Sequence, residues 1–373
     1  MKPVAVALVV EPTAWHVSGW MSRLAARDDV AKVYLSDPSG ESEAQARALF
    51  GDRLAAVLPS PEALFEKSQP EVAVITLEPQ RTPDACAVAL EAGSHVLYEK
   101  PGAVAASDLA RLAATARSRG LQFVCAFANR MSPHLRYAGD LVRSGRIGEV
   151  RAVNAVFVAR DRLVKGWRTV GGGWLFSRAR GGGWLNFLGC HTVDLIRAVT
   201  GQEFTEVTAF AGKVHSEPFD VDDTDAVSFR LSGGGFGTLL TGYTLPEHPG
   251  LGTFSVYGSE GWLTTEPLAI GSSAVTCHAA NPPLTESRDW TVDFSSGAVV
   301  DAYALLADAF IRAAHGGAPT PCEPEAGARM LEFTAAVRTA TETRQTQPVR
   351  DPGEGDDRAR SPQRASQPRR PCQ

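Results

Sequence analysis

The run Val96-Leu97-Tyr98-Glu99-Lys100-Pro101 sets two side chains able to handle charge and protons, Glu99 and Lys100, ahead of a proline. Proline cannot continue a central strand, and it restricts the preceding Lys100 to extended backbone. Val96 to Tyr98 reads as a short strand, so the Glu-Lys pair falls at its carboxyl end, where open α/β sheets bind ligands. A lysine there can donate to a substrate oxygen and bias its proton. On its own the tripeptide reads as well as a surface pair before a turn. A second stretch is Gly181-Gly182-Gly183-Trp184-Leu185-Asn186-Phe187-Leu188-Gly189-Cys190-His191-Thr192-Val193-Asp194. A glycine run entering a helix lets backbone approach a ligand closely. His191 belongs to that helix, and histidine titrates near neutrality. A lone histidine in such a setting is otherwise a satisfied core residue.

The elements that must position these residues follow from hydrophobic patterning. Val4 to Val10 is a continuous apolar run of strand length, as a buried parallel strand should be. A helix is expected near His16 to Ala26, a second strand at Val33 to Asp37, and a helix over Ser42 to Phe50 with Ser42 as N-cap. Pro61 to Glu66 opens the next helix. Glu71 to Leu77 is another buried strand, Thr82 to Ala92 a helix closed by Gly93, and Leu121 to Phe127 a sixth strand. The alternation predicts a doubly wound parallel sheet. From Val150 the texture changes to alternating strands: Arg151 to Arg160, Phe204 to Lys213, Asp225 to Leu231, Gly237 to Tyr243 and Val256 to Leu263. These predict an α+β unit with an open, mostly antiparallel sheet, closed by helices over Val299 to Ala314 and Pro324 to Arg344. The expected division is residues 1–128, residues 129–350 and a tail from 351 to 373. The tail contains no Leu, Ile, Val, Met or aromatic residue, cannot bury a core and should be disordered.

Strand, helix, Gly-x-His-Val-Leu-Tyr-Glu-Lys-Pro and a following helix together resemble the glucose–fructose oxidoreductase/inositol dehydrogenase/rhizopine-catabolism family (Gfo/Idh/MocA). The resemblance runs from about residue 4 to residue 349. It is most specific over Ala89 to Pro101, Asn129 to Pro133 and Gly181 to Asp194. It implies an N-terminal Rossmann-type domain that binds NAD or NADP, and oxidation of sugars, cyclitols or related secondary alcohols. It implies that Lys100 contacts the reacting oxygen and borders the cofactor, and that His191 accepts the hydroxyl proton. Pro79 stands in the turn that meets the nicotinamide ribose, and Glu99 and Asn129 at the cofactor–substrate junction. The family pattern places an Asp four residues before the histidine. Here that position is Phe187, with Asn186 one residue off. Phe187 makes the pocket more apolar and offers a stacking face to a sugar or aromatic ring. Gly171 to Leu175 echoes Gly181 to Leu185 and reads as a flexible loop over the pocket, with Trp167, Arg168, Trp174, Arg178 and Arg180 available to substrate.

The first turn departs from the dinucleotide pattern. G-x-G-x-x-G lets backbone approach the pyrophosphate at a helix N-terminus. This chain has Val9-Val10-Glu11-Pro12-Thr13-Ala14-Trp15-His16, with no glycine before Gly19. Either the loop widens and uses Thr13 and backbone amides such as that of Ala14, or the site no longer binds dinucleotide. Asp37, ending the second strand, favours the first reading. Its carboxylate would accept from the adenosine ribose and disfavour a 2′-phosphate, which selects NAD over NADP.

At 373 residues with 44% hydrophobic and 21% charged residues, the chain suits two globular domains. A net charge of −5 argues against nucleic-acid and anionic-membrane partners. Six scattered cysteines form no metal or disulfide pattern, which fits reduced thiols in a cytoplasm. No apolar run is long enough to span a bilayer. The expected partners are a small-molecule substrate and further copies of the chain, as a homodimer or homotetramer through the C-terminal sheet. Two alternatives share the site: a glycosidase-type elimination assisted by tightly held NAD, and a non-catalytic family member that binds a ligand or a partner subunit.

Overall fold

The computed structural model describes residues 2–14, 16–160, 173–214, 219–245, 251–266, 274–281, 286–294 and 300–352. The first part runs β1 (Val4–Val10), α1 (Val17–Ala25), β2 (Val30–Ser36), α2 (Glu43–Phe50), β3 (Leu54–Leu58), α3 (Pro61–Lys67), β4 (Val72–Thr76), α4 (Thr82–Glu91), β5 (His95–Tyr98), α5 (Ala106–Ser118) and β6 (Phe123–Cys125). All strand pairs are parallel, in the order β3-β2-β1-β4-β5-β6. Helices cover both faces, so β4 is buried at every position, and its sequence is apolar but for a final threonine. The chain reverses direction between β1 and β4, leaving a crevice at their carboxyl ends. Ser42 precedes α2, but its hydroxyl does not cap that helix. Its amide donates to Asp37 instead.

The second part holds α6 (Pro133–Arg143), β7 (Val150–Arg160), α7 (Cys190–Thr200) and the strands β8 (Phe204–Gly212), β9 (Thr224–Leu231), β10 (Phe236–Leu245), β11 (Leu251–Gly258), β12 (Gly261–Thr265), β13 (Ala274–Asn281) and β14 (Glu286–Asp293). Helices α8 (Ala302–Ala314) and α9 (Ala326–Thr343) and the short strand β15 (Gln347–Pro348) complete it. The sheet order is β14-β13-β12-β11-β7-β10-β9-β8-β15. Only the β7–β10 pair is parallel among the described pairs. The apolar run around Val256 to Leu263 is two strands, not one, because Ser259 and Glu260 form the turn between β11 and β12. Strands β13 and β14 were not anticipated; their threonines, charges and small residues give little apolar alternation. The tail expectation for residues 351–373 falls almost wholly outside the described residues, as do Trp167, Arg168, Gly171 and Gly172.

Helices α8 and α9 pack back on the first sheet's layer. Arg23 and Arg27 of the α1 region pair with Asp301 and Asp308, and Arg117 of α5 pairs with Glu325. A deeply buried ionic contact ties β6 to α7. Arg130 follows β6 in a short 3-10 turn and grips both oxygens of Asp194 at 2.6 and 2.8 Å. It also donates to Pro321 O and Glu323, each at 2.6 Å. Burial works against the guanidinium charge, but the Asp194 carboxylate outweighs it and holds the Arg130 proton well above its usual range. Glu323, likewise opposed by burial, is pulled down to about 2 by Arg130 and Arg197. Arg130 is buried, not the exposed residue that a capped helix start suggests. Replacing it by alanine strands a buried carboxylate, and should cost about 3–5 kcal/mol in urea unfolding. Arg47→Ala, on an exposed pair with Glu43 four residues away, should change stability by about 0.5 kcal/mol or less.

Candidate active site

Lys100 stands just past the end of β5, at the carboxyl edge of the first sheet, and is 5% exposed. Its Nζ donates to the Phe187 carbonyl at 2.7 Å and lies 4.3 Å from the centre of the Phe187 ring. That leaves two of its three ammonium donors for another acceptor. His191 sits in the first turn of α7, also 5% exposed, with Nδ1 buried and without a protein partner. The edge of its ring meets Phe127, with centroids 6.1 Å apart. Burial first, then the charges of Lys100 and His16, push the His191 imidazole well below its ordinary 6.5. The ring is therefore neutral at physiological pH and able to accept a proton.

The glycine run explains how Phe187 comes to Lys100. Gly181 has φ +82, and a β-carbon there would meet Pro79 at 3.0 Å. A β-carbon on Gly182 would meet the carbonyls of Trp174 and Leu175 at 2.4 Å. The run thus threads between the β4 loop and the Gly173–Phe176 turn with no room for side chains. Trp184 N and Leu185 N are then taken up by Asp222. Leu185–Gly189 forms a π turn before α7 begins. In a regular helix Asn186 would lie five steps, about 140°, round from His191; the wider i→i+5 turn reduces that offset. Asn186 Nδ2 donates to Gly181 O at 3.1 Å, while its Oδ1 is buried without a partner. Trp174 is 2% exposed and meets Phe187 edge-on, with centroids 6.1 Å apart. Residues 173–176 are thus an ordered, packed 3-10 turn rather than a loose loop.

Glu99 is buried beside Lys100. Its Oε1 accepts from Trp20 Nε1 at 2.7 Å and meets His16 Nδ1 at 3.0 Å. Burial alone would raise its carboxyl; the His16, Lys100 and Trp20 contacts more than offset this and lower it. Thr13 Oγ1 donates to Glu78 at 3.3 Å, and Ala14 N to Glu11 O at 3.0 Å. Asp37 serves its own loop, accepting from Ser39 N, Ser39 Oγ and Ser42 N. Burial opposes its charge, but these bonds keep the carboxyl below its usual range. Asn129 falls in the 3-10 turn after β6, next to Arg130.

Sequence reasoning missed four contacts among charged or titratable residues. The Glu78 amide donates to Glu11, which also pairs with Arg81. Arg180 Nη2 donates to Glu78 Oε1 at 2.6 Å, clamping the glycine run of the second part onto the β4 loop of the first. His16 reaches Glu99. Nothing local in the sequence marks these pairs, since each partner comes from a different loop. Arg81 and Arg180 stay partly exposed, at 56% and 37% of their side chains, so this glycine-poor loop keeps cations at its mouth.

The crevice fits a polar ligand. Ser36 Oγ and Thr76 Oγ1, on the last residues of β2 and β4, and Glu99 Oε2, just past β5, are buried without protein partners. Buried polar atoms are ordinarily satisfied, and a row of them along one sheet edge awaits a partner of its own. This strand order with a carboxyl-edge site defines the class of Rossmann-fold dinucleotide-binding proteins. Two family models match the chain: "Oxidoreductase family, NAD-binding Rossmann fold" over residues 19–127, and "GFO/IDH/MocA C-terminal domain" over residues 135–264. The chain belongs to the GFO/IDH/MocA oxidoreductase family.

The β1–α1 loop precedes the first matched residue. Trans-1,2-dihydrobenzene-1,2-diol dehydrogenase of Bos taurus is 30% identical over 221 residues, 56% of this chain and 61% of that protein. A 1-carboxy-3-chloro-3,4-dihydroxycyclohexa-1,5-diene dehydrogenase of Comamonas testosteroni is 30% identical over 189 residues, 49% of this chain and 45% of that one. The chain thus spans about three fifths or less of these relatives' length. Levoglucosan dehydrogenase, solved with NADH and L-sorbose, superimposes with a TM-score of 0.78 over 94% of this chain and 100% of its own, at 18% identity. The last comparison establishes the shared fold.

The depressed His191 gives a stability signature. Below its ordinary 6.5 the unfolded chain takes up a proton that the folded chain refuses. The unfolded state then binds more protons, so stability rises with pH in this window and is lost as pH falls through it. His191→Gln should flatten the slope of unfolding free energy between about pH 6.5 and 5, measured by urea titration at each pH.

Proposed function

We propose that the chain is an NAD(P)-dependent dehydrogenase acting on a secondary alcohol of a sugar, cyclitol or related ring. The observation that carries this reading is the burial of Lys100 and His191 together at the carboxyl edge of an NAD-binding sheet. Lys100 donates to the reacting oxygen and stabilises the charge that develops on it. Neutral His191 takes the hydroxyl proton. The nicotinamide ring, when bound, supplies the hydride acceptor. Thr13 and the Ala14 amide, bonded here to Glu78 and to the Glu11 carbonyl, would turn to hold the pyrophosphate, with Arg81 and Arg180 offsetting Glu11 and Glu78. Asp37 would meet the adenosine ribose, which favours NAD over NADP. Pro79, Glu99 and Asn129 border the nicotinamide end.

The substrate side is aromatic. Phe187 and Trp174 meet edge-on, beside a small recess lined by Leu175, Phe176, Trp184, Phe187 and Tyr243 and by the acidic Asp222. With a phenylalanine in place of a carboxylate, a ring with one apolar face fits better than a fully hydroxylated sugar. The cyclic diene diols named for the Bos taurus and Comamonas testosteroni relatives are such rings. Phe210 and Leu240 project from the exposed face of the second sheet, across Ala226, and we assign that face to contact with further copies of the chain. No helix among the described residues is long and apolar enough to cross a membrane. The five described cysteines are buried and in no disulfide, in keeping with a reducing compartment such as the cytoplasm.

Calorimetric titration with NADH and NADPH, followed by turnover assays on cyclic vicinal diols and polyols, tests this reading. Binding of NADH in the micromolar range is expected, and Lys100→Met should lower kcat by about a hundredfold or more while nucleotide affinity holds. A folded protein that binds neither nucleotide is a ligand- or partner-binding family member instead. Phe187→Ala should raise KM for a cyclohexadiene diol by about tenfold, through lost stacking area, and for a polyol much less.

A further inference from the structure

A cavity of about 190 Å³ lies under the π turn that carries Phe187. Its walls include Leu185 of that turn, Asp225 of β9 and Arg338 of α9. A single water needs roughly 10–15 Å³ of such space, so a small organic molecule fits. Neither Lys100 nor His191 lines it. Along β9 the inward positions are Asp225, Val227, Phe229 and Leu231. Asp225 thus holds a place that packing alone would give to an apolar residue.

Most charges around the cavity are already engaged. Arg178 donates its amide to Asp220 Oδ1 and its guanidinium to Glu342, each at 3.0 Å. Lys213 Nζ donates to Phe219 O at 3.3 Å, and Asp223 accepts from Val214 N at 2.9 Å. Asp222 Oδ2 accepts from Leu185 N at 3.3 Å, and its carbonyl from Trp184 N at 3.1 Å. Among the described lining residues, Asp225 and Arg338 are left over. Asp225 is 0% exposed, and neither of its carboxylate oxygens has a protein partner. Arg338 is half-buried and makes no hydrogen bond or ion pair among the described residues. Burial first, then the Asp222 carboxylate, pushes the Asp225 carboxyl well above its ordinary range. Arg338 opposes this through space without pairing with Asp225.

A buried acid with no partner is costly, and so marks a place for one. An ammonium would satisfy Asp225, and a carboxylate would take the Arg338 fork. A lone anion would face Asp225, and a lone amine would leave Arg338 unmatched. No group of three or more His, Cys, Asp or Glu among the described residues is arranged to hold a metal ion. We propose that this cavity binds a small amino-carboxylate zwitterion, such as a free amino acid, with its ammonium on Asp225 and its carboxylate on Arg338. Asp222 borders both this cavity and the recess beside Phe187. A bound zwitterion therefore abuts the turn that sets Phe187 against Lys100, without entering the site of the reaction. Such binding stands whether or not the chain is a dehydrogenase.

Calorimetric titration of the full chain with the common α-amino acids, β-alanine and γ-aminobutyrate, in the absence of nucleotide, tests this. At least one should bind with a Kd below about 1 mM. Methylammonium and acetate, each carrying one of the two charges, should bind at least about tenfold more weakly. Asp225→Asn and Arg338→Gln should each weaken the zwitterion by about tenfold or more, since each removes a charge-assisted bond. Arg338→Gln, at a half-buried helix position, guards against a folding defect at Asp225. Lys100→Met should leave this affinity within about twofold of the parent. A panel with no member binding at about 10 mM overturns the proposal and leaves the cavity to water. So does binding that methylammonium or acetate equals, or that Arg338→Gln leaves unchanged. Binding lost in Lys100→Met but kept in both charge variants also overturns it, and puts the ligand in the active site.

Discussion

The fork between Arg130 and Asp194 holds the two parts of this molecule in register. Arg130 belongs to the turn after the last parallel strand, and Asp194 to the helix that carries His191. Both side chains are almost wholly buried, at 6% and 2% exposure. A buried pair with two parallel bonds tolerates little sliding, because moving either partner leaves a charge unsolvated. Arg197 and Glu323 extend the contact to the chain entering α9. The distance between His191 and the edge of the first sheet is thus set by ionic geometry as well as by apolar packing.

The first loop shows how a sheet can lose its glycines and keep a workable crevice. Side chains replace bare backbone between β1 and α1, and two of the acids around it, Glu11 and Glu78, would repel phosphate alone. Each is matched by an arginine, Arg81 and Arg180. Burial raises the Glu11 carboxyl, and the Glu78 amide and Arg81 offset this only in part. Arg180 comes from the far side of the crevice, so the same contact that neutralises Glu78 also closes the second part onto the first.

The site is drier and more aromatic than a carboxylate–histidine pair would make it. Lys100 is held by a backbone carbonyl and the face of Phe187 rather than by an acid, so its charge acts directly on His191. Burial first, and then that charge, keep the imidazole neutral, while Glu99, next to the lysine in sequence, is tied to His16 and Trp20. The charge balance of the site therefore runs through the first loop.

The sequence alone determined the parallel sheet, the antiparallel sheet, the strand end at Lys100 and the close approach required at Gly181 and Gly182. These follow from hydrophobic period, from proline and from glycine, which act through neighbours a few residues away. Strands β13 and β14 were not legible, because polar and small residues blur their alternation. The tertiary structure decided what touches what: Lys100 with Phe187 across 87 residues, Glu99 with His16 across 83, and Arg130 with Asp194 across 64. It also decided the π turn that moves Asn186 toward the His191 face, and the left-handed backbone at His16. Such contacts depend on how whole layers pack, and on strain that only the surrounding fold can hold, so no local pattern of residue types announces them.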